Sequence, residues 1–223
     1  MKYLTITTFP NKEWHEYLHV CTLEYLKFFP QEVPLLIKLY KNKYSEVVNK
    51  SLENMINQYE GGKKGRNVHI EDGSTKEEDA FYERHKDYVN KGDYRTEYVA
   101  FSHKIFALYQ AYQFAKLNNY EYIIWLDADV ICKEEVTIED IDGWVGDSDI
   151  AYLGRKDWDH SECGFVVYKT ETAGKFIERF HEMYVKDEVL EHKQHHDSYI
   201  FDRLREEFTS LKYKNISEGK TGS

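Results

Sequence analysis

Two carboxylates one residue apart, Asp127 and Asp129, close the apolar run Tyr122-Ile123-Ile124-Trp125-Leu126. Such a pair can put oxygens onto one hard cation. Magnesium and manganese favour oxygen ligands and often bind through one or two carboxylates together with substrate phosphates. The chemistry this suggests is a metal–diphosphate site. Asp-x-Asp is also a common tripeptide, and its blander use is to cap the next segment or to face water. Three histidines, His192, His195 and His196, crowd ahead of Asp197 near the C-terminal end. Lys104 sits beside Ser102 and His103 in a helical pattern, where a surface lysine is the default expectation.

The elements that would position the acids follow from local pattern. Tyr122 to Leu126 is too short for a buried helix, and its aromatic and β-branched content predicts a central strand covered on both faces. Open α/β sheets bind ligands at the carboxyl ends of such strands. A first strand is predicted over Tyr3 to Thr8. Asn11 then caps a helix carrying Trp14, Tyr17, Leu18, Cys21, Tyr25 and Phe28, which stops at Pro30. A second strand runs from Val33 to Tyr40. Strand, helix, strand is a βαβ unit and implies a parallel sheet. The Gly-x-Gly-x-x-Gly turn is missing, which argues against a nicotinamide or flavin cofactor.

Further along, helices are predicted over Ser45–Tyr59, over Glu77–Val89 with Phe81, His85 and Tyr88 inward, and over Tyr98–Leu117. The last has Ile105, Leu108, Tyr109, Tyr112 and Leu117 on its core face. Gly61 to Arg66 is a basic, flexible break, and Asn67 to Ile70 a short strand. After the central strand come a short helix at Ile138–Ile141 and a strand over Asp149–Gly154. A strand from Glu162 to Tyr168 follows, with Gly164 where backbone and ligand could approach closely. An amphipathic helix covers Thr172–Tyr184. The charged stretch Lys186–Lys193 has little apolar anchoring, so a mobile segment is expected there. A last helix starts near Asp197, the favoured N-cap type. The reading is one domain over residues 1–211 and a loose polar tail over 212–223.

Composition bounds the function. The 223 residues can bury a substantial core. A formal charge of −10 argues against nucleic-acid binding, which needs a basic face. Aromatics reach 16%, including 19 Tyr, which suits sheet–helix packing and sugar-stacking surfaces. Cys21, Cys132 and Cys163 are too scattered for a disulfide framework or a zinc site. No stretch approaches the ~20 apolar residues of a membrane span. Met1 to Thr5 runs straight into strand residues rather than a signal sequence, so the expected address is the cytoplasm. The sequon Asn215-Ile216-Ser217 is then a chance match.

In this order the pieces resemble the GT-A nucleotide-sugar-dependent glycosyltransferases, and small members with a Trp-Leu-Asp-x-Asp core most of all. Four blocks carry the likeness: Ile6-Thr7-Thr8-Phe9, Phe101-Ser102-His103-Lys104, Trp125 to Val130, and Glu162-Cys163-Gly164-Phe165 with His195-His196-Asp197. The resemblance implies an α/β fold, a Rossmann-like mixed and mainly parallel sheet flanked by helices. It implies a UDP- or GDP-sugar donor and a glycan or other hydroxyl acceptor. Thr7 and Thr8 would line base and ribose, and Lys104 would face the donor. Asp127 would touch ribose or sugar, with the metal reached directly or through water. Asp129 would bind the metal, and Glu162 and Gly164 would border the transferred sugar. His195 or His196 would add a metal ligand, which tilts the choice from magnesium towards manganese. If the configuration inverts, Asp197 or Glu162 is the base.

Two other classes compete. Leu126 to Val130 also fits the first motif of haloacid-dehalogenase-like phosphohydrolases, with Asp127 as nucleophile and Gly146 to Asp149 as a faint later acidic motif. In those enzymes the motif ends the first strand, whereas here a βαβ unit precedes it. A non-catalytic carbohydrate-binding protein with a degenerate site is the other alternative, and the intact set of acids, lysine and histidines argues against it.

Overall fold

The computed structural model describes residues 1–8, 21–39, 50, 51, 54, 68–89, 92–155 and 160–217. The expected helix positions Asn11, Trp14, Tyr17 and Leu18, most of the Ser45–Tyr59 helix and the Gly61–Arg66 break lie outside the described residues.

Seven strands form one sheet: β1 (Tyr3–Thr8), β2 (Leu35–Leu39), β3 (Val68–Asp72), β4 (Tyr122–Leu126), β5 (Ile150–Leu153), β6 (Glu162–Lys169) and β7 (Tyr213–Asn215). Their order is β3-β2-β1-β4-β6-β5-β7. β1 pairs in parallel with β2 and β4, β2 with β3, and β5 with β7, while β6 runs antiparallel between β4 and β5. The mixed, mainly parallel sheet is the expected one. Helices α1 (Leu23–Phe28), α2 (Lys76–Arg84), α3 (Tyr98–Leu117), α4 (Ile138–Val145), α5 (Gly174–Val185) and α6 (Asp197–Glu207) flank it.

β4 lies in the middle and shows why its sequence is apolar throughout. Ile123 and Trp125 enter one core with Ile105, Leu108 and Phe176 from α3 and α5. Ile124 and Leu126 enter the other with Tyr25 of α1 and Ile141 of α4. Both faces are covered, so the strand does not alternate.

Several boundaries differ from expectation. α2 ends at Arg84, because the chain turns where Arg84 and His85 are both held by the Asp187 carboxylate. Leu117 is 82% exposed rather than in the core. It lies in the last turn of α3, past the small residues Ala107, Ala111 and Ala115 that let this helix press against its neighbours. The 186–193 stretch is anchored: Val189 is fully buried and Glu188 pairs with Arg179. The predicted tail is part of the sheet, since Tyr213–Asn215 adds β7 beside β5. There the Asn215 side-chain oxygen accepts from the Gly154 and Ser217 backbone N–H groups, so this sequon is folded into the structure. Among the described residues no helix is long and apolar enough to cross a membrane.

Candidate active site

The site forms where sheet topology brings distant sequence together. Because β6 is antiparallel to β4, its first residues lie at the carboxyl end of β4, with Leu126 opposite Phe165. The Asp127 N–H donates to the Gly164 carbonyl (2.8 Å), and the Val130 N–H returns to the Asp127 carbonyl (3.0 Å). Asp127, Glu162 and Gly164 thus meet by register. A side chain at Gly164 would crowd them: a Cβ there would lie 3.2 Å from Glu162 Oε1 and 3.3 Å from Asp127 Oδ2. Only a glycine lets the two carboxylates flank that point without displacement.

Lys104, in the second turn of α3, is the centre of the site's charge. Its Nζ is 3.0 Å from Asp127 Oδ1, 2.7 Å from Asp197 Oδ2 and 2.5 Å from the Cys163 carbonyl. An ammonium has three donors, and all three are used. The side chain is buried, with Nζ also 5.0 Å from the Trp125 ring. Burial alone would drive this ammonium towards neutrality, but Asp127 and Asp197 outweigh it and hold the pKa above its ordinary value. Lys104 is therefore not a surface residue. It ties α3, the end of β4 and the start of α6 together.

Asp127 receives a second donor, the Trp125 indole N–H, which binds the same Oδ1 as Lys104. Oδ2 is the oxygen left toward Gly164. Burial pushes the Asp127 carboxyl up, the Lys104 charge pulls it down and Asp197 pushes it up again, leaving it above the usual carboxylate value. Asp129 stands at the turn beyond, exposed, and makes no hydrogen bond or ion pair among the described residues. Glu162 has both oxygens engaged, Oε1 by the Gly164 N–H (2.9 Å) and Oε2 by Arg155. Asp197 is buried under Lys104.

The other expected site residues lie on β1 and around the start of α6. Thr7 is fully buried. Strand alternation puts it on the side of Thr5, which accepts from the Tyr25 hydroxyl. Thr8 is half-buried at the strand's carboxyl end, donating to the Lys38 carbonyl (3.0 Å). The N-cap of α6 is His196, not Asp197: His196 Nδ1 accepts from the Tyr199 N–H (3.3 Å), and Nε2 lies 2.8 Å from Gln194 Oε1. Both ring nitrogens are occupied, and burial lowers the pKa, so the imidazole is neutral with its proton on Nε2. His195 is fixed by its N–H to the Arg95 carbonyl (2.7 Å) and by its carbonyl to the Tyr184 hydroxyl (3.1 Å), and its Nε2 lies 3.1 Å from the His192 carbonyl. Among the described residues no three His, Cys, Asp or Glu side chains gather as a metal cage. Both His196 nitrogens are thus engaged, while His195 keeps a buried Nδ1 with no hydrogen-bond partner among the described residues.

Asp127 Oδ2 and the exposed Asp129 are carboxylate oxygens available to a cation. Two carboxylates completed by phosphate and water suit magnesium as well as manganese. The second acidic segment required by a phosphohydrolase is at the wrong end. β5 runs in the same direction as β4, and Asp149 precedes it while Asp127 follows β4. The separation is a strand's length, roughly 16 Å. Asp149 also accepts from the Lys212 N–H and the Thr172 hydroxyl.

The residues that sequence reasoning missed are Trp125 as a donor to the acid two positions on, Arg155, and the Cys163 carbonyl. The first had a signal, since residues two apart on a strand share a face.

No protein-family model matches the sequence, and no curated protein matches it. Solved structures do. Mouse xyloside xylosyltransferase 1 in its apo form aligns over 96% of this chain and 84% of its own, with a TM-score of 0.57 at 14% identity. The glycosyltransferase GlyE of Streptococcus pneumoniae TIGR4 aligns over 96% of this chain and 45% of its own, with a TM-score of 0.53 at 10% identity. The bifunctional glycosyltransferase WbbM in its apo form aligns over 96% and 38%, with a TM-score of 0.57 at 13% identity. The chain thus spans less than half the length of the latter two. At such identities the likeness is one of fold, and the fold of this chain is the GT-A-like glycosyltransferase fold.

Proposed function

We propose that this protein is a divalent-cation-dependent glycosyltransferase, moving a sugar from a nucleoside-diphosphate sugar to an acceptor hydroxyl. The observation that carries this is the division of labour at the end of β4. Lys104 and Trp125 lock one Asp127 oxygen, leaving the other toward Gly164, with the exposed Asp129 two residues on in the turn. A carboxylate fixed in this way is pre-organised, so little ordering is needed when ligand arrives.

The donor diphosphate belongs in the crevice between β1 and β4, where the strand order changes direction. Asp127 and Asp129 would hold a magnesium or manganese ion there, and Thr8 is the β1 residue placed to meet the nucleoside. The bound cation would offset charge developing on the leaving diphosphate. Gly164 allows the sugar and Asp127 to approach closely, and Glu162, held by Arg155 and the Gly164 N–H, borders that space. Asp197 acts through Lys104 as a positioning residue. Its burial and ion pair suit that task better than proton abstraction.

The reading is tested by incubating the protein with UDP- and GDP-sugars in magnesium or manganese and following nucleoside diphosphate release. Release from at least one donor, abolished by chelator, is expected. Phosphomonoester turnover without any nucleotide-sugar cleavage would favour a phosphohydrolase instead.

A further inference from the structure

Beside Asp197 lies a band of rings that the donor site does not use. Tyr94, 61% exposed, is the one Phe, Tyr or Trp side chain among the described residues that is exposed rather than buried or half-buried. It is not on a loose loop. It opens the 3-10 turn Tyr94–Thr96, which Asp93 caps through the Arg95 N–H (3.1 Å) and braces by an ion pair with the Arg95 guanidinium. The Tyr94 ring is 5.3 Å from the His196 ring, and Phe101 lies 6.0 Å from it on another side. His160 continues the band, 5.1 Å from His196 and 5.3 Å from Tyr199. The phenol oxygens of Tyr94 and Tyr199 make no hydrogen bond among the described residues.

Buried side-chain contacts link the band to the candidate active site. Phe101 is one helical turn before Lys104 on α3, and His196 immediately precedes Asp197, whose carboxylate Lys104 holds. From the Tyr94 ring to Asp127 the path is His196–Asp197, then Lys104. It reaches Asp127 through residues of α6 and α3, and β6 neighbours β4 on the side away from β1. The exposed Tyr94 ring, with the half-buried Tyr199 phenol and His160 imidazole beyond His196, matches a pyranose or furanose, which offers C–H groups on one face and hydroxyls around its rim. An ordered ring left in water gives up burial free energy of the order of 1–2 kcal/mol, which a ligand's stacking recovers.

We infer that Tyr94, backed by His196 and flanked by Tyr199 and His160, is the platform on which a carbohydrate acceptor stacks, with its reactive hydroxyl toward Asp127. This rests on the sugar-transfer reading and names its acceptor class.

The test takes Tyr94→Ala and Tyr94→Phe, with methyl glycosides and unmodified disaccharides as acceptors, which carry no aromatic group of their own. Tyr94→Ala is expected to raise the acceptor KM about tenfold or more, with the loss confined to the acceptor, and Tyr94→Phe to stay within about threefold of wild type. An unchanged acceptor KM in Tyr94→Ala overturns the platform while leaving sugar transfer standing. Should wild type cleave no nucleotide sugar, saturation-transfer NMR with the same glycosides decides the platform separately. Sugar signals present in wild type and lost in Tyr94→Ala would sustain it, and their absence in wild type would overturn it.

Discussion

Lys104 Nζ lies 2.7 Å from the buried carboxylate of Asp197 while also holding Asp127. One cation therefore serves two acids far apart in sequence, and its removal leaves both without that partner. Lys104→Met is predicted to destabilise the fold by roughly 3 kcal/mol, the lower end for breaking a buried pair, because Asp127 is partly open to solvent. Urea unfolding measures this. Adding Asp197→Asn to Lys104→Met should recover part of the loss, and strictly additive costs would contradict the clamp.

Gly164→Ala tests the close approach of the two carboxylates. Its Cβ would meet Glu162 Oε1 and Asp127 Oδ2 at 3.2 and 3.3 Å, so one or both must move by a few tenths of an ångström. Donor cleavage is expected to fall on the order of tenfold or more, since small misplacements at a reacting centre are costly. The melting temperature should change little. A fully active variant would show that Asp127 Oδ2 does not need its observed position.

Two half-buried histidines set an acid limit on stability. His181 is stacked 3.9 Å from the Tyr109 ring, and His103 lies 2.6 Å through Nδ1 from the Tyr82 hydroxyl. Burial lowers both from 6.5 to about 4. Between those values the unfolded chain binds more protons than the folded one. Stability should therefore fall as pH drops from 6.5 towards about 4, by roughly 3 kcal/mol for each histidine. His181→Phe keeps the stacking and removes the titration, so urea titrations at pH 7 and pH 5 should show a shallower loss in that variant. An identical slope would assign the effect elsewhere.

The parts legible in sequence were those where local pattern and tertiary role agree. Tyr122 to Leu126 reads as a buried strand because both its faces are covered, and the acids after it are marked by the abrupt end of the run. The 20 residues of α3 were visible by length and apolar content, though not their orientation. That helix is buried by small and large residues around much of its circumference, so Leu117 looks no different from Leu108. Lys104 looked like a surface residue because its partners are 23 and 93 positions away in sequence, and nothing local announces two carboxylates. Thr7 and Thr8 are indistinguishable in a strand covered on both faces, yet one is core and the other reaches the sheet's rim. A histidine cap and a histidine ligand have the same spacing, so His195 and His196 could be resolved only by what each nitrogen touches. β7 is short and half-buried, and its polar residues resemble a tail.

The central claim is that Asp127 and Asp129 bind a nucleoside diphosphate through a divalent cation. Titration calorimetry with UDP and GDP, in magnesium, in manganese and in chelator, tests it most directly. Binding of at least one nucleotide is predicted with metal and not in chelator. Asp129→Asn should lose it while keeping the wild-type melting temperature, because that side chain is exposed and makes no hydrogen bond or ion pair among the described residues. Equal affinity in chelator, or undiminished metal-dependent binding by Asp129→Asn, would contradict the account.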